Sequence, residues 1–495
     1  MVKLVEATLR QDMYSLEQLP VQYVACSNIC PKTLNFPAKM IHKTYKEQLQ
    51  TWDKQYLWHP FTQMQDYVKE TPLIIEEGSG IYLKDVNGKE YIDGISSMWC
   101  NLHGHRKKEI DDAIRRQLDK IAHTTLLGPS NIPAIELAKS LVEIAPKGLT
   151  KVFYSDNGST ANEVALKMAF QYWQHKGFKN KTEFVALQYG YHGDTVGTMS
   201  AGGIEIFHDA FRPLYFKTHL TPSPYCYRCP LGKQPTNCSL ACLDKLEDML
   251  KEISGRIAAM IMEPLVQGAG GMIIHPAGYL SGVHALCKKY NVLLILDEVL
   301  TGFGRTGRMF ACLHENIVPD IMSLSKGING GYMPLAATLA TEEIYNAFLG
   351  EYSQLKTFFH GHTYTGNPLG CAAALASMAL FEKEHILENL EPKIKHLQTK
   401  RKSFESLEHV GDVRQCGLIA AIELVRDKTT KEPYPWEERV GIQVCLEARK
   451  RGLLIRPLGH IIVIMPPLII KTHEIDRLLD IIHESIQIVT SSKLR

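Results

Sequence analysis

One aliphatic run constrains this chain more than any other stretch. Val292-Leu-Leu-Ile-Leu296 leads directly into two acids, Asp297 and Glu298, and then into Thr301-Gly-Phe-Gly-Arg-Thr-Gly307. A run without polar alternation predicts a strand buried on both faces, as in a parallel sheet covered by helices. An acid at the carboxyl end of such a strand falls where open α/β sheets bind ligands. A second run, Asp320-Ile-Met-Ser-Leu-Ser325, delivers Lys326 near the same edge.

The surrounding pattern agrees. Candidate strands at Val152–Tyr154, Phe184–Leu187 and Ala258–Met262 alternate with helical periodicity over Ala161–Gln174, Leu243–Ile253 and Tyr279–Lys289. This alternation predicts an α/β fold with a mainly parallel sheet and helices on both faces. Ile81–Asp93 reads as a hairpin around Asn87-Gly88, and Lys107–His123 has helical spacing. Beyond Gly370 a helix-rich stretch leads to apolar runs at Gly417–Leu424 and Ile461–Met465, predicting a smaller α+β domain. The expected division is 1–55 a polar, partly disordered N-terminal arm without clear periodicity, 56–110 the N-terminal part of the small domain, 111–370 the large domain, and 371–495 the C-terminal small domain. Residues 1–39 read equally as an extension ahead of a start at Met40 or as a short, partly ordered arm.

Composition narrows the function classes. The 495 residues are 45% hydrophobic and 22% charged, with a net charge of +2. That is the make-up of a soluble globular protein. No basic patch argues for nucleic acid, and no apolar stretch reaches the length of a membrane span. Met1-Val-Lys-Leu-Val-Glu-Ala lacks an apolar signal core, so a cytoplasmic location is expected. The twelve cysteines then read as reduced thiols or metal ligands.

Asp297 and Lys326 together suit pyridoxal phosphate. The lysine would form the Schiff base, and the carboxylate would keep the pyridine nitrogen protonated. Taken singly, each is more often a strand-end acid or a surface lysine. Ser155-Asp-Asn-Gly158-Ser159-Thr160, between a strand and a helix, offers exposed amides for an anion or a plain N-cap. Tyr191 in Gly190-Tyr-His-Gly-Asp194 could stack on a planar ring or simply pack in a turn. Gly361, His362 and Thr363 lie in a segment dense in small and hydroxyl residues, either a second set of phosphate donors or a glycine-rich turn. Arg456 could fork onto a substrate carboxylate, although most arginines are solvated. Cys226, Cys229, Cys238 and Cys242 sit in a proline-marked loop; the alternatives are a structural zinc held by thiolates and reduced thiols in a surface insertion.

In combination these motifs are specific. From about Trp58 to Thr490 the chain resembles the subgroup III aminotransferases of fold type I, which are pyridoxal phosphate enzymes. The matching segments include Leu57-Trp-His-Pro-Phe-Thr62, Gly94-Ile-Ser-Ser-Met-Trp99, Val152–Ser159, Gly190–Thr195, Val266–Gly271, Asp297–Gly307 and Arg456-Pro-Leu-Gly459. The resemblance implies that Lys326 bonds the cofactor and moves the proton, and that Asp297 meets the pyridine nitrogen. It gives Gly158 and Ser159 the phosphate and Tyr191 the ring face. It implies a homodimer with shared sites, in which His362 and Thr363 arrive from the other subunit. Trp99 and Gly361 would line the substrate channel, Arg456 would hold a carboxylate, and turnover would be ping-pong. Within the family the likeness is strongest to the branch that aminates 8-amino-7-oxononanoate. Phe61 stands where many of that branch have Tyr, Met98 where they have Trp, and Leu300 where other relatives have Gln. The amino donor, S-adenosylmethionine or lysine, stays open.

Overall fold

A computed structural model describes residues 38–491. The expectations for residues 1–37 lie outside the described residues. The chain falls into two compact units, one up to Ile74 and one from Ile75 to the C-terminus. The first contains a helix over Ala38–Tyr56, where no periodicity was expected. Tyr45, Leu49, Trp52 and Tyr56 recur at helical spacing there, and the many intervening Lys, Gln and Thr residues obscure the stripe.

The second unit is organised by a seven-stranded sheet. Its strands are β1 (Leu149–Ser155), β2 (Glu183–Leu187), β3 (Thr218–Thr221), β4 (Ile257–Met262), β5 (Leu293–Asp297), β6 (Ile321–Leu324) and β7 (Ala336–Thr341). Their spatial order is β1-β7-β6-β5-β4-β2-β3. Ile295 of β5 pairs in parallel with Ile261 of β4 on one side and Ile321 of β6 on the other. Every residue of β4 and β5 is buried, as an uninterrupted aliphatic run requires. Only β7 is antiparallel to its neighbours. Its sequence, Ala-Ala-Thr-Leu-Ala-Thr, is alanine-rich and carries no strand signal of its own. Full burial between β6 and β1 overrides its propensity.

Because the other strands run the same way, the carboxyl ends of β1, β2, β4, β5 and β6 share one edge. From that edge emerge Gly158, Tyr191, Glu263, Asp297 and Lys326. The helix α1 (Gly158–His175) covers the sheet with Ala161, Val164, Ala165 and Ala169. The predicted hairpin forms, with Tyr82 opposite Ile92 and Gly88 at positive φ. Leu453–Leu454, from far along the chain, adds to it in parallel. A separate antiparallel sheet joins Val410–Cys416, Ile419–Leu424, Ile461–Ile464 and Pro457–Leu458. Among the described residues no helix is long and apolar enough to cross a membrane.

Candidate active site

The shared edge opens into a cavity of about 520 Å³, with Trp99, Gly158, Ser159, Tyr191, Asp297 and Lys326 in its walls. Six residues singled out in the sequence, far apart along the chain, thus face one space.

Asp297 is almost fully buried at the end of β5. Its Oδ2 accepts from Asn162 Nδ2 at 2.8 Å and lies 2.8 Å from His192 Nδ1, while Oδ1 accepts from the Val299 amide at 3.1 Å. Asn162 Nδ2 also donates to His192 O, so helix α1 and the loop after β2 both fix the carboxylate. Lys326 follows β6 in the left-handed region, at φ 43°. Burial holds its amine below the ordinary lysine value, against the opposing pull of Asp297, Glu263 and Cys100. Its Nζ lies 5.5 Å from the centre of the Trp99 ring.

The start of α1 is capped from within: Thr160 N donates to Asn157 Oδ1 and Asn157 N donates to Thr160 Oγ1. Gly158 and Ser159 precede the first intrahelical bond, made by Ala161 N to Asn157 O, and both line the cavity. A Cβ on Gly158 would fall 2.7 Å from Val299 Cγ1, so only glycine brings the backbone this close to β5. Tyr191 donates from its hydroxyl to Asp194 Oδ2 at 2.7 Å, and burial raises its phenol further.

Trp99 and Met98 belong to an unusual turn. Ser96, Ser97, Met98 and Trp99 all have positive φ, between 45° and 78°. Asp93 holds Ser97 through its amide and hydroxyl at 2.9 and 2.7 Å. Arg305, fully buried and without a carboxylate partner, donates to Ser96 Oγ, Asn101 O and Pro466 O. Burial lowers the Arg305 guanidinium to about 10. Arg456 reaches the same turn, with a guanidinium nitrogen 3.7 Å from Met98 Sδ.

Arg456 is not itself among the residues lining this cavity, and neither are four other expected contributors. Gly361 and His362 line a different space of about 350 Å³. Gly361 and Thr363 are exposed, and His362 Nδ1 lies 3.4 Å from Asp156 Oδ2. Phe61 belongs to the first unit and is exposed at φ 50°.

The sequence reading missed Asn162 and Glu263. Asn162 is the polar exception on the apolar buried face of α1. Glu263 follows the buried run of β4 just as Asp297 ends that of β5, and the same acid-after-strand signal would have found it.

The zinc expectation is corrected. Cys226, Cys229, Cys238 and Cys242 line one cavity of about 200 Å³, together with Pro224, Pro230 and other apolar groups. Yet no group of three or more potential ligands among the described residues is disposed to hold a metal ion. All four are free thiols. Burial and the neighbouring Cys238 push Cys242 up to about 11. The loop is held instead by hydrogen bonds. Tyr225 and Arg228 both donate to the buried Glu423, which also pairs with Arg414 at 2.8 Å.

A lysine and a carboxylate across a cavity, with an anion-ready helix start beside them, define the site type of a pyridoxal phosphate transaminase. Ser155 Oγ, Asn162 Oδ1 and His192 Nε2, buried near the helix start and Asp297, lack protein partners among the described residues, and a polar, phosphorylated ring would suit that lining. Comparison with known proteins makes the class definite. Residues 63–486 match the aminotransferase class-III family model, and the chain belongs to that family, whose members use pyridoxal phosphate. It is 58% identical over 445 residues to the adenosylmethionine-8-amino-7-oxononanoate aminotransferase of Geobacter sulfurreducens, covering 90% of this chain and 98% of that protein. The crystal structure of the enzyme of that name from Methanocaldococcus jannaschii is 49% identical, with a TM-score of 0.86 over 89% of this chain and 99% of that one. An omega transaminase from Pseudomonas jessenii in complex with PMP is 33% identical, with a TM-score of 0.85 over 90% and 98% of the two chains.

Proposed function

We propose that this chain transfers an amino group to 8-amino-7-oxononanoate, with S-adenosylmethionine or lysine as donor, in biotin biosynthesis. The observation that carries the reading is the convergence of Lys326, Asp297 and the Gly158–Ser159 amides on one cavity whose mouth holds Arg456, in a chain 58% identical to a relative of that name.

Bound pyridoxal phosphate supplies a carbonyl that condenses with amines and a ring that takes up the electron pair left when a proton departs. Lys326 would hold this group, and its amine, which burial holds below the ordinary lysine value, would move the proton. Asp297, oriented by Asn162, His192 and Val299, would meet the pyridine nitrogen. Gly158 and Ser159 would give their amides to the phosphate, at the positive end of α1. Tyr191 and Trp99 would wall the site from water. Arg456 would fork onto the carboxylate at the far end of the amino ketone. Met98 would shape the donor side of the mouth.

The unit we propose is a homodimer in the cytoplasm. Gly361, His362 and Thr363 do not enter their own chain's cavity, and exposed Phe359 and Tyr364 flank them, so a second copy would bring them to complete the phosphate cup. The division at about residues 56, 111 and 371 into arm, small-domain and large-domain parts belongs to the same proposal.

The test is a pair of half-reactions. Enzyme loaded with the cofactor is mixed with S-adenosylmethionine or lysine, and then with 8-amino-7-oxononanoate. Loss and recovery of the cofactor's visible absorbance is the expected result. A donor response without recovery by the amino ketone would reduce the function to transamination of another substrate.

A further inference from the structure

Glu263 is a buried acid that the steps above do not use. It follows β4 directly, and its two oxygens point to different walls of the cavity. Oε2 accepts from the backbone amide of Tyr191 at 3.1 Å, and Oε1 from that of Gly268 at 2.8 Å. Tyr191 lies in the loop after β2. Gly268 lies in the turn between two paired segments, Val266–Gln267 and Ile273–Ile274, whose Ala269 lines the cavity. The two walls also fit tightly against one another. A Cβ on Gly270 would meet Tyr189 O at 2.3 Å. Gln267, fully buried, adds a bond from Nε2 to Gln188 O at 2.8 Å.

We infer that Glu263 is a positioning residue that clamps the Tyr191 wall to the Gly268–Ala269 wall and thereby sets the width of the cofactor cavity. A carboxylate suits this task because it accepts from two amides at once. A carboxamide offers one acceptor and turns an N–H towards the other amide. Charge-assisted bonds of this kind are also the stronger ones. The clamp rests on the reading of the cavity as the pyridoxal phosphate site.

The ionisation of Glu263 makes the clamp separable from mere packing. Burial raises its carboxyl to about 7; His192 opposes this and Asp297 adds to it. Tyr191 and Lys326 are the other titratable groups facing it. Above that value both oxygens are free to accept. Below it one carries a proton, and the acid resembles the amide.

The experiment compares the wild type with Glu263→Gln. Binding of pyridoxal phosphate to apoprotein is followed by fluorescence, and exchange of the Tyr191 and Gly268 amides by mass spectrometry, at pH 6 and pH 8. Loss of one charge-assisted bond should weaken cofactor binding about tenfold at pH 8 and expose both amides by a similar factor. At pH 6 the gap between the two proteins should shrink to about twofold, since there both carry a neutral side chain. A gap that is absent, or equal at both pH values, overturns the clamp. If the variant does not fold, the wild type alone decides: after correction for intrinsic exchange, its Tyr191 and Gly268 amides should be better protected at pH 8 than at pH 6. A wild type that does not bind pyridoxal phosphate at all refutes the reading of the site rather than the clamp, which the amide exchange then tests in the apoprotein.

Discussion

The cavity has two halves built by different means. The cofactor half stands on the ends of buried strands and the start of α1, and its groups are held by short bonds inside the sheet edge: Asp297 by Asn162, His192 and Val299, and Gly158 by contact with β5. The mouth is made of irregular segments. Met98 is half open to solvent on a turn of positive φ, and Arg456, from the C-terminal region, brings a guanidinium nitrogen 3.7 Å from its sulfur. The difference teaches that the reaction type is written into the rigid half, whereas the choice of amine and ketone rests with residues that can change without disturbing a strand.

Removing a rigid-half group should therefore cost most. Lys326→Ala should lower turnover by on the order of 10⁴, since among the described residues no other lysine lines the cavity to move the proton; half-reaction rates measure it, and near-normal rates would break the comparison outright. Asp297→Asn keeps the shape but turns a donor towards Asn162 Nδ2 or the Val299 amide. A fall of about 10² to 10³ in kcat is expected, with weaker cofactor retention on dialysis. At the mouth, Arg456→Ala should raise KM for the carboxylate-bearing ketone by roughly ten- to a hundredfold while changing kcat little. Arg456→Lys should recover only part of that, because an ammonium cannot fork. A larger effect on kcat than on KM would place Arg456 in the rigid half. The smallest effect belongs to the cysteine cavity, whose sulfurs do not line the cofactor cavity. Replacing Cys229 and Cys238 by serine, or adding a chelator, should leave activity within about twofold and stability within about 1 kcal/mol. A chelator that inactivates the enzyme would reinstate the metal.

What could be read from the sequence follows the same division. Lys326, Asp297, Gly158 and Tyr191 are announced by the buried runs that precede them, and parallel strands leave their carboxyl ends at one edge. The turn at Ser96–Trp99 is invisible in the sequence, since none of its residues is a glycine and its left-handed backbone depends on the strand-end Asp93 and on Arg305 from far along the chain. β7 escapes because alanines carry no period. Glu263 carries the same signal as Asp297, an acid directly after a fully buried aliphatic run. The cysteine spacing is compatible with a metal, but spacing alone does not set where the sulfurs point; the Glu423 network fixes the loop instead.

The turn at Ser96–Trp99 has a thermal consequence. Four successive non-glycine residues in the left-handed region store roughly 1–2 kcal/mol each, held down by Asp93 and the buried Arg305. A segment loaded in this way should be among the first parts of the site to open as temperature rises. Trp99 and Met98 would go with it while Lys326 and Asp297 stayed in register. On warming, the enzyme would thus become less choosy before it became inactive, and fidelity would fail at a lower temperature than catalysis.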